Sequence, residues 1–387
     1  MVPPLDIDQI LTNAETAAAK FKRYDQQQID RIVAAIYRAG FENRIHLAKM
    51  AHQETGIGKW EDKVIKNVIA TKFVYKDIKD LKTAGIIHRD PVKGIIEIAQ
   101  PIGPIFAVTP ITNPTSTILF KILIAIKSRN PIIIRPHGSA KKCSIESARI
   151  CYEAALNAGA PEFCIQWIKR SSKAETIDMM KHRRTALVLA TGSVSLVKAA
   201  YSSGNPAIGV GPGNVPVFLG KSADVEFAVD QIILSKTFDN GTVCASEQAL
   251  ILQCFNASKI IDAFKKKDAY FLTASEISKI EAIAFNQTLK VMNTEVIGQS
   301  AEKIAEMAGI TIPAGTRLLI AQLTEVGKKA PLSYEILAPI LAMYIVEDFE
   351  PAIEFCRKIN RLGGLGHTVS IFSRNREKII YFAREMN

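Results

Sequence analysis

Apolar residues recur at helical spacing through most of the first ninety residues. The three segments with this pattern are 7–24, 27–43 and 44–56. A lysine-rich amphipathic stretch over 59–82 continues it, so this region is predicted to be mainly helical. Segment 94–103, GIIEIAQPIG, alternates apolar and polar positions and ends in Pro-Ile-Gly, which predicts an extended arm or edge strand.

From residue 102 onward, short apolar runs alternate with segments of helical spacing. The runs are PIFAVTP, PIIIRP, FCIQWI, TALVLATGS and PAIGVGPGNVPVFLG. This alternation predicts βαβ units around a parallel sheet that helices cover on both faces. Because ligands bind at the carboxyl ends of the strands in such sheets, the loops after these runs are candidate binding loops.

After residue 220 a similar alternation begins again. The helical segment ADVEFAVDQIILSKTF is followed by the strand-like runs QALILQCF, TRLLIAQ, ILAPILAMYIV and HTVSIFS. The chain is therefore predicted to be an α/β protein. Its 387 residues are enough for two domains with separate hydrophobic cores.

Composition narrows the classes of function. Hydrophobic residues make up 48% of the chain, but no apolar run has membrane-spanning length, and the N-terminus lacks the apolar core of a signal peptide. The net charge of +11 is scattered and lacks regularly spaced aromatic partners, which favours a solvated basic surface over nucleic-acid binding. Attraction of phosphate-bearing small molecules is the alternative. No metal-ligand spacing occurs, so no metal is expected.

The cysteines divide into five ordinary residues and one unusual residue. Six cysteines without a CxxC pair indicate reduced thiols in a cytoplasmic protein. Five are predicted to be buried: Cys143 and Cys151 in one helix, Cys164 and Cys254 in strands, and Cys356 in an amphipathic helix. Cys244 differs because it follows DNGT, a flexible turn that can bring backbone and thiol close to a ligand. On this local pattern, a catalytic role and simple burial both remain open.

The glycine-bearing loops carry weak signals on their own. GVGPGN, residues 209–214, lacks G-x-G-x-x-G spacing, so a tight strand exit explains it as well as phosphate binding does. ATGS opens a helix whose free N–H groups can hold a phosphate or a ribose. Asn113 precedes a proline at a helix start, where capping of the helix is the simplest role.

Six longer motifs share one order along the chain. They are KMAHQETGIGKWEDKVIKN, PITNPTSTILFK, AAYSSGNPAIGVGPGNVPV, SKTFDNGTVCASEQALI, YEILAPILAMY and GGLGHT. In this order the chain resembles the aldehyde dehydrogenase superfamily, within it the CoA-acylating branch, and most closely the N-terminal half of bifunctional aldehyde-alcohol dehydrogenases. The resemblance runs from about residue 10 to the last residue. It implies a Rossmann-type parallel-sheet NAD-binding domain over 1–214, with an extended arm near 94–100, and a second α/β catalytic domain over 215–387.

The resemblance implies roles for particular residues. Cys244 is matched to the nucleophile that attacks the aldehyde, and Asn113 to the side chain that shares the oxyanion hole with the Cys244 backbone N–H. The residues matched to NAD binding are Val108, Thr109, Pro110, Ile111, Thr112, Asn113, Arg135, Gly192, Ser193, Gly211 and Glu335. Glu335 matches the residue that holds the nicotinamide ribose. Arg135 stands where ordinary members carry a lysine near the adenosine ribose, which leaves NAD or NADP open. His367 either contacts the CoA thiol or the thioester, or caps a strand entry.

One departure from the wider family decides the expected subclass. Hydrolytic members carry a water-activating glutamate at the start of an E-L-G-G-K stretch, whereas the matching VGPGNVP, residues 210–216, has no carboxylate. The acyl thioester is then expected to persist until CoA attacks it. The expected activity is an NAD-dependent, acetylating aldehyde dehydrogenase, which in fermentation converts acetyl-CoA and NADH to acetaldehyde. The alternatives are a hydrolytic or semialdehyde dehydrogenase, and an inactive fragment that serves as a binding or assembly module.

The resemblance also implies segments beyond Asn387. These are a further strand, an interdomain segment and a dimer arm, and in bifunctional relatives a whole iron-dependent alcohol dehydrogenase domain. The chain is therefore expected to be C-terminally incomplete and the complete protein to be a homo-oligomer. Its expected partners are the aldehyde and CoA as small-molecule substrates, with no nucleic acid and no membrane.

Overall fold

The computed structural model describes residues 6–286 and 291–386. Its residue contacts divide the chain into two compact units. Unit 1 consists of Met1–Gly56 and Trp60–Gly211, and unit 2 consists of Ile57–Lys59 and Pro212–Asn387. Parallel sheets with helices between the strands form both units, which confirms the predicted α/β class.

Unit 1 contains nine of the described α-helices and seven strands. The helices are α1 (Ile7–Phe21), α2 (Gln26–Glu42), α3 (Arg44–Thr55), α4 (Trp60–Val68), α5 (Val74–Ile78), α6 (Pro114–Lys127), α7 (Lys141–Asn157), α8 (Lys173–Lys181) and α9 (Val194–Tyr201). The strands are β1 (Gly85–Asp90), β2 (Ile95–Ala99), β3 (Ile105–Val108), β4 (Ile132–Arg135), β5 (Ile165–Trp167), β6 (Leu187–Thr191) and β7 (Ala207–Val210). A π-helical turn, Ile69–Phe73, joins α4 to α5.

Local chemistry explains where the N-terminal helices begin and end. The Asp25 side chain accepts the Gln28 N–H while the Gln28 side chain accepts the Asp25 N–H, so a reciprocal capping box starts α2. Helix α3 ends at Gly56, whose φ of 67° lies in the left-handed region that glycine adopts without a Cβ clash. These signals are local, and they support the helical pattern that the sequence predicted.

The sheet of unit 1 has the strand order β5-β4-β3-β6-β7, with every neighbouring pair parallel. All four residues of β3 are buried, and they alternate between two cores. Ile105 and Ala107 pack with α2, α6 and α7, whereas Phe106 and Val108 pack with α1 and α8 on the other face. Burial on both faces explains why the strand is a continuous apolar run.

Unit 2 contains the remaining helices and strands. The strands are β8 (Val215–Leu219), β9 (Glu247–Gln253), β10 (Ala269–Phe271), β11 (Phe285–Asn286), β12 (Val291–Met292), β13 (Leu318–Gln322), β14 (Ile340–Val346) and β15 (Ser370–Phe372). The helices are α10 (Val225–Thr237), α11 (Cys254–Lys265), α12 (Ala274–Ala284), α13 (Ala301–Met307), α14 (Phe349–Leu362) and α15 (Arg376–Glu385).

The main sheet of unit 2 has the order β10-β13-β14-β9-β8-β15, again with all neighbouring pairs parallel. Every residue of β9 is buried. Leu250 and Leu252 pack against α10 and α11, while Ala249 and Ile251 pack against α14 and α15. The segment Ile57–Lys59 belongs to this unit because the Lys59 N–H donates to Asp239 Oδ1 at 2.7 Å.

The structure differs from the sequence-based predictions in three details. Segment 94–103 contains an extended strand, β2, as predicted. This strand pairs with β1 in an antiparallel hairpin, whereas the region of β1 was predicted to be mainly helical. The run PAIGVGPGNVPVFLG splits between the two sheets. The prediction that Cys254 lies in a buried strand is wrong: Cys254 is exposed and begins α11, because β9 ends at Gln253.

No helix among the described residues is long and apolar enough to cross a membrane. Within the same residues, no group of three or more histidine, cysteine, aspartate and glutamate side chains is placed to hold a metal ion.

Candidate active site

The sheet of unit 1 reverses its strand order beside β3. The chain runs from β3 to β4 and β5 on one side and then returns to place β6 and β7 on the other side. Ligands of doubly wound sheets bind outside the carboxyl ends of the strands at such a switch point. The two loops at this point are 109–113, which follows β3, and 192–193, which follows β6. They contain most of the residues that the sequence assigned to NAD binding.

A buried lysine ties together the two strands at the switch point. Lys121 of α6 donates from Nζ to the carbonyl oxygens of Val108 and Leu189, each at 2.9 Å. Burial lowers the pKa of Lys121 to about 7. The loop after β3 has a second anchor, because the Thr109 N–H donates to the Arg135 carbonyl at the end of β4. In the sequence, Lys121 only interrupts the apolar run of α6, so the pattern does not indicate this role.

Asn113 lies at the N-terminal end of α6, but its side chain does not cap the helix. Its Oδ1 instead accepts a hydrogen bond of 2.6 Å from Lys66 Nζ in α4. The neighbouring Lys63 donates to the Thr112 carbonyl at 3.3 Å. Because an ammonium group can only donate, Lys66 holds the amide with the carbonyl oxygen towards the lysine, and Nδ2 becomes the group that presents N–H. Nδ2 also lies 3.2 Å from Thr112 Oγ1.

The other cofactor candidates in unit 1 stand at neighbouring strand ends. Arg135 ends β4, is half-buried, and donates from Nε to Ser171 Oγ at 3.2 Å. Ser193 caps α9, accepting the Leu196 N–H, and follows Gly192 directly after β6. Gly211 follows β7 and ends the unit. Free amides at the start of α9 fit the phosphate groups of a dinucleotide.

The candidate site residues of unit 2 lie at the amino ends of its strands, whereas those of unit 1 lie at the carboxyl ends. Gly213, Cys244, Glu335 and His367 precede β8, β9, β14 and β15, respectively. These strands are neighbours in the order β14-β9-β8-β15 and run parallel, so their amino ends share one edge of the sheet. Three of these residues were assigned from the sequence, and Gly213 belongs to the VGPGNVP stretch that decided the subclass.

Gly213 lies at the centre of this group. Its N–H donates to Glu335 Oε1 at 2.9 Å. A Cβ atom added at Gly213 would overlap the Cys244 carbonyl oxygen and would lie 3.1 Å from the His367 ring. A glutamate at this position would therefore displace the backbone beside Cys244. The absence of a side chain is a steric requirement of the site.

Cys244 follows the DNGT turn, residues 239–242, which is buried and tightly hydrogen-bonded, in contrast to the flexible turn expected from the sequence. Asp239 and Asn240 adopt left-handed φ values of 49° and 51°. The fully buried Asp239 carboxylate accepts from the Lys59 N–H and the Thr242 hydroxyl, and Asn240 Nδ2 donates to the Gly298 carbonyl at 2.9 Å. These bonds fix the turn, while Cys244 itself is partly exposed.

The other cysteines provide a clear contrast. Cys143, Cys151, Cys164 and Cys356 are buried as predicted, although Cys164 precedes β5 instead of lying within it. Burial raises the pKa of all four thiols. Cys254 is exposed, but it follows the carboxyl end of β9, whereas Cys244 precedes the amino end. A seven-residue strand separates them by roughly 20 Å.

Glu335, which is partly buried, and Lys236, which is fully buried, interact electrostatically behind this edge. Burial raises the pKa of Glu335 to about 7 and lowers the pKa of Lys236 to about 7. Lys236 Nζ donates to Gln248 Oε1 at 2.7 Å and to the Ile336 carbonyl at 3.0 Å. The lysine therefore anchors both the start of β9 and the segment that carries Glu335. Hydrophobic patterning does not single out this lysine, because it lies within an ordinary amphipathic helix pattern.

His367 is held locally by its own segment. Its N–H donates to the Gly364 carbonyl at 2.8 Å, and its Nδ1 lies 2.9 Å from Thr368 Oγ1. Burial lowers the pKa of His367, which favours the neutral ring. Its place beside Gly213 fits either of the two roles expected from the sequence.

A parallel sheet with a ligand switch point and a partly exposed cysteine on a rigid turn are features typical of dinucleotide-dependent enzymes with a cysteine nucleophile. Residues 3–387 match the model of the aldehyde dehydrogenase family, and the chain belongs to that family.

Individual relatives agree with this membership. The chain is 44% identical over 384 residues to the aldehyde-alcohol dehydrogenase of Clostridium acetobutylicum and 40% identical to the bifunctional aldehyde-alcohol dehydrogenase of Escherichia coli K12. Each alignment covers 98% of this chain but only 44% and 43% of the relative, so the chain spans less than half the length of these relatives. The resemblance expected from the motifs is confirmed.

Solved structures extend the comparison. An acetylating aldehyde dehydrogenase from Geobacillus thermoglucosidasius superposes with a TM-score of 0.95 at 47% identity, over 98% of this chain and 84% of that one. A propionaldehyde dehydrogenase from Rhodopseudomonas palustris, solved with bound CoA and an acylated cysteine, gives a TM-score of 0.87 at 27% identity, over 98% and 85% of the two chains.

Proposed function

We propose that the chain is an NAD-dependent CoA-acylating aldehyde dehydrogenase that interconverts a short aldehyde, CoA and NAD with acyl-CoA and NADH through a thioester on Cys244. The observation that carries the proposal is the edge around Gly213, where a partly exposed thiol lies on a rigid turn and no side chain can extend from the neighbouring glycine. The similarity to a solved enzyme with bound CoA and an acylated cysteine supports the same chemistry.

In the proposed reaction the Cys244 thiolate attacks the aldehyde carbon, and the carbonyl oxygen becomes an alkoxide. By resemblance, the Asn113 Nδ2 and the Cys244 N–H each donate to this oxygen. A preorganised donor of this kind contributes ~10²–10³ in rate. Lys66 contributes by holding Asn113 Oδ1, so that the amide does not have to reorient as negative charge develops.

The residues present fit a nicotinamide dinucleotide. The switch point beside β3, the open N-terminus of α9 and the neighbouring basic Arg135 provide donors for phosphates and ribose. We assign this role to residues 108–112, Asn113, Arg135, Gly192, Ser193 and Gly211, and the nicotinamide ribose to Glu335. When bound, the nicotinamide ring accepts the hydride that leaves the former aldehyde carbon as the thioester forms.

The fate of the thioester distinguishes the proposal from a hydrolytic enzyme. Stretch 210–216 supplies no carboxylate to activate water, and at Gly213 a side chain would overlap the Cys244 carbonyl oxygen. A CoA thiolate attacks the acyl carbon instead, and the Cys244 thiolate leaves. His367, beside Gly213, is placed in this proposal near the thioester, where a neutral ring can contact the incoming thiol.

The proposal also covers the oligomeric state, a partner domain and the cellular location. Exposed apolar residues on the β1–β2 hairpin, including Ile86, Ile95, Ile96 and Ile98, support association into a homo-oligomer. The curated relatives named above are aldehyde-alcohol dehydrogenases, which supports a partnership with an alcohol dehydrogenase domain that reduces the aldehyde. A cytoplasmic location remains a prediction from the sequence.

A steady-state assay tests the proposed activity. Acetaldehyde, NAD and the chain are mixed with and without CoA, and both NADH and the acyl product are measured. The proposal predicts sustained NADH formation only with CoA, and acetyl-CoA as the product. Sustained NADH formation without CoA, with acetate as the product, would establish the hydrolytic alternative.

A further inference from the structure

Lys236 is a fully buried lysine that holds the residue directly after Glu335. Its Nζ donates to the Ile336 carbonyl at 3.0 Å and to Gln248 Oε1 at 2.7 Å. The same Gln248 Oε1 accepts the Ile336 N–H at 3.1 Å. Lys236 and Gln248 therefore anchor both hydrogen-bonding groups of the Ile336 backbone. Lysine is almost never fully buried unless it is paired, so this is an unusual use of the residue.

The anchored segment carries the Glu335 carboxylate, whose two oxygens differ in their partners. Oε1 accepts the Gly213 N–H at 2.9 Å. Oε2 has no hydrogen-bond donor among residues 6–286 and 291–386, and the side chain is partly exposed. One oxygen thus orients the carboxylate, while the other is available to a ligand. Because an ionised carboxylate only accepts hydrogen bonds, the matching ligand group is a donor such as a hydroxyl.

The charge of Lys236 favours the ionised form of this carboxylate. Burial raises the pKa of Glu335 to about 7, and the Gly213 N–H and Lys236 both act against this rise. Burial lowers the pKa of Lys236 to about 7, and Glu335 and Glu247 act against this fall. Removal of the lysine is therefore expected to leave Glu335 protonated more often, and a protonated carboxyl group accepts fewer hydrogen bonds.

We propose that Lys236 is a positioning residue for the cofactor, which holds the Glu335 carboxylate in the place and charge state that accept the hydroxyl groups of the nicotinamide ribose. The inference rests on the proposed function, which assigns this ribose to Glu335. Lys236 itself does not touch the ligand, because its Nζ is fully buried and already donates to Gln248 and Ile336. Its removal is therefore expected to weaken cofactor binding through Glu335 alone.

A double-mutant cycle on NADH binding tests this route. NADH is titrated by calorimetry into the 387-residue chain and into Lys236→Met, Glu335→Ala and the double variant, without aldehyde or CoA. In the parent background, Lys236→Met is expected to weaken binding by about 10-fold or more, as for the loss of hydrogen bonds to a charged group. In the Glu335→Ala background the same change is expected to alter the affinity by less than about 2-fold, because the contact that it supports is already absent.

Two further variants separate positioning from a loss of folded stability. Gln248→Met breaks the same anchor from β9 but keeps the lysine, so it replaces Lys236→Met in the cycle if that variant does not fold, with the same expected dependence on Glu335. Lys259→Met removes an exposed lysine of α11 and is the matched control, expected to bind NADH as the parent chain does. Urea midpoints identify the folded variants.

The outcomes distinguish this inference from the proposed function. An equal loss of NADH affinity in the parent and Glu335→Ala backgrounds would overturn the role of Lys236, because the effect would not pass through Glu335. Unchanged affinity in a folded Lys236→Met variant would overturn it as well. Both results are independent of the CoA-dependent assay, since the cycle requires no turnover. A parent chain that does not bind NADH would overturn the proposed function together with this inference.

Discussion

The two units present their candidate residues at opposite ends of their sheets. In unit 1 the residues stand at the carboxyl ends of β3, β4, β6 and β7, on loops that offer backbone amides and cationic side chains. In unit 2 they stand at the amino ends of β14, β9, β8 and β15, where they contact one another around Gly213. The first edge offers open donors to a ligand, whereas the second holds the proposed nucleophile. Binding and bond formation thus make different demands on the same α/β architecture.

The two edges differ most in the backbone conformation beside the candidate residues. The turn before Cys244 contains two successive non-glycine residues, Asp239 and Asn240, in the left-handed region, which costs roughly 1–2 kcal/mol for each residue. Buried hydrogen bonds to Lys59, Thr242 and Gly298 offset this cost. Strain held in this way keeps the turn before Cys244 in one conformation.

The largest expected effect is loss of activity when the proposed nucleophile of unit 2 is removed. Cys244→Ala is expected to reduce CoA-dependent aldehyde oxidation by about 10⁴-fold or more, because no other thiol stands at this edge. Cys254→Ala is the matched control, since this exposed thiol follows the other end of β9, and its activity should match that of the parent chain. Initial rates of NADH formation measure both variants. Loss of activity in Cys254→Ala with retention in Cys244→Ala would reverse the assignment.

The next effect lies in unit 1 and tests a positioning residue. Lys66→Met is expected to lower kcat by about 10- to 100-fold with little change in KM for the aldehyde, because a charge-assisted hydrogen bond to Asn113 contributes about 1.5–3 kcal/mol. Lys66→Arg should restore part of kcat. Lys72→Met removes an exposed charge from the following helical turn and serves as the control. A loss of folded stability with an unchanged kcat would reduce Lys66 to a structural role.

A smaller effect concerns how Glu335 and Lys236, behind the unit 2 edge, change the free energy of unfolding with pH. The folded pKa of Glu335 is raised to about 7, so the folded state binds the extra proton between about pH 4.5 and 7 and its contribution to stability falls as pH rises through that range. The folded pKa of Lys236 is lowered to about 7, so its contribution rises with pH between about 7 and 10.5.

Urea midpoints measured across pH check these opposite slopes. Glu335→Gln is expected to flatten the slope below pH 7, and Lys236→Met the slope above it, by about 1 kcal/mol or more across each range. Unchanged slopes in both variants would mean that neither group has a shifted pKa. Since Lys236 anchors β9 and the Glu335 segment, its variant should also be the less stable of the two at pH 7.

The sequence predicted the features that depend on local pattern. Short, fully apolar runs such as Ile105–Val108 located the buried parallel strands, and the family motifs singled out Cys244, Asn113 and Glu335 as site candidates. What could not be predicted depends on contacts between distant segments. The Lys66–Asn113 bond joins residues 47 positions apart, and the Asp239 contact with Lys59 joins residues 180 positions apart. Hydrophobic periodicity carries no information about such pairs.

Local pattern led to wrong predictions where two different backbone structures use the same residue types. Gly, Asn and Asp are the usual residues of flexible turns, and the same residues tolerate the left-handed backbone that a rigid turn requires. DNGT was therefore expected to be flexible, although its polar side chains are buried and bonded. Cys254 was placed in β9 because an apolar run does not show where a strand ends and the next helix begins.

The central claim is that Cys244 carries an acyl group which water does not remove and CoA does. Intact-protein mass spectrometry tests it after the chain is incubated with acetaldehyde and NAD, first without CoA and then with CoA added. The account predicts one added acetyl group per chain, located on Cys244 by peptide mapping, formed with a burst of about one NADH per site and lost when CoA arrives. An unmodified Cys244 during sustained NADH formation without CoA would contradict it.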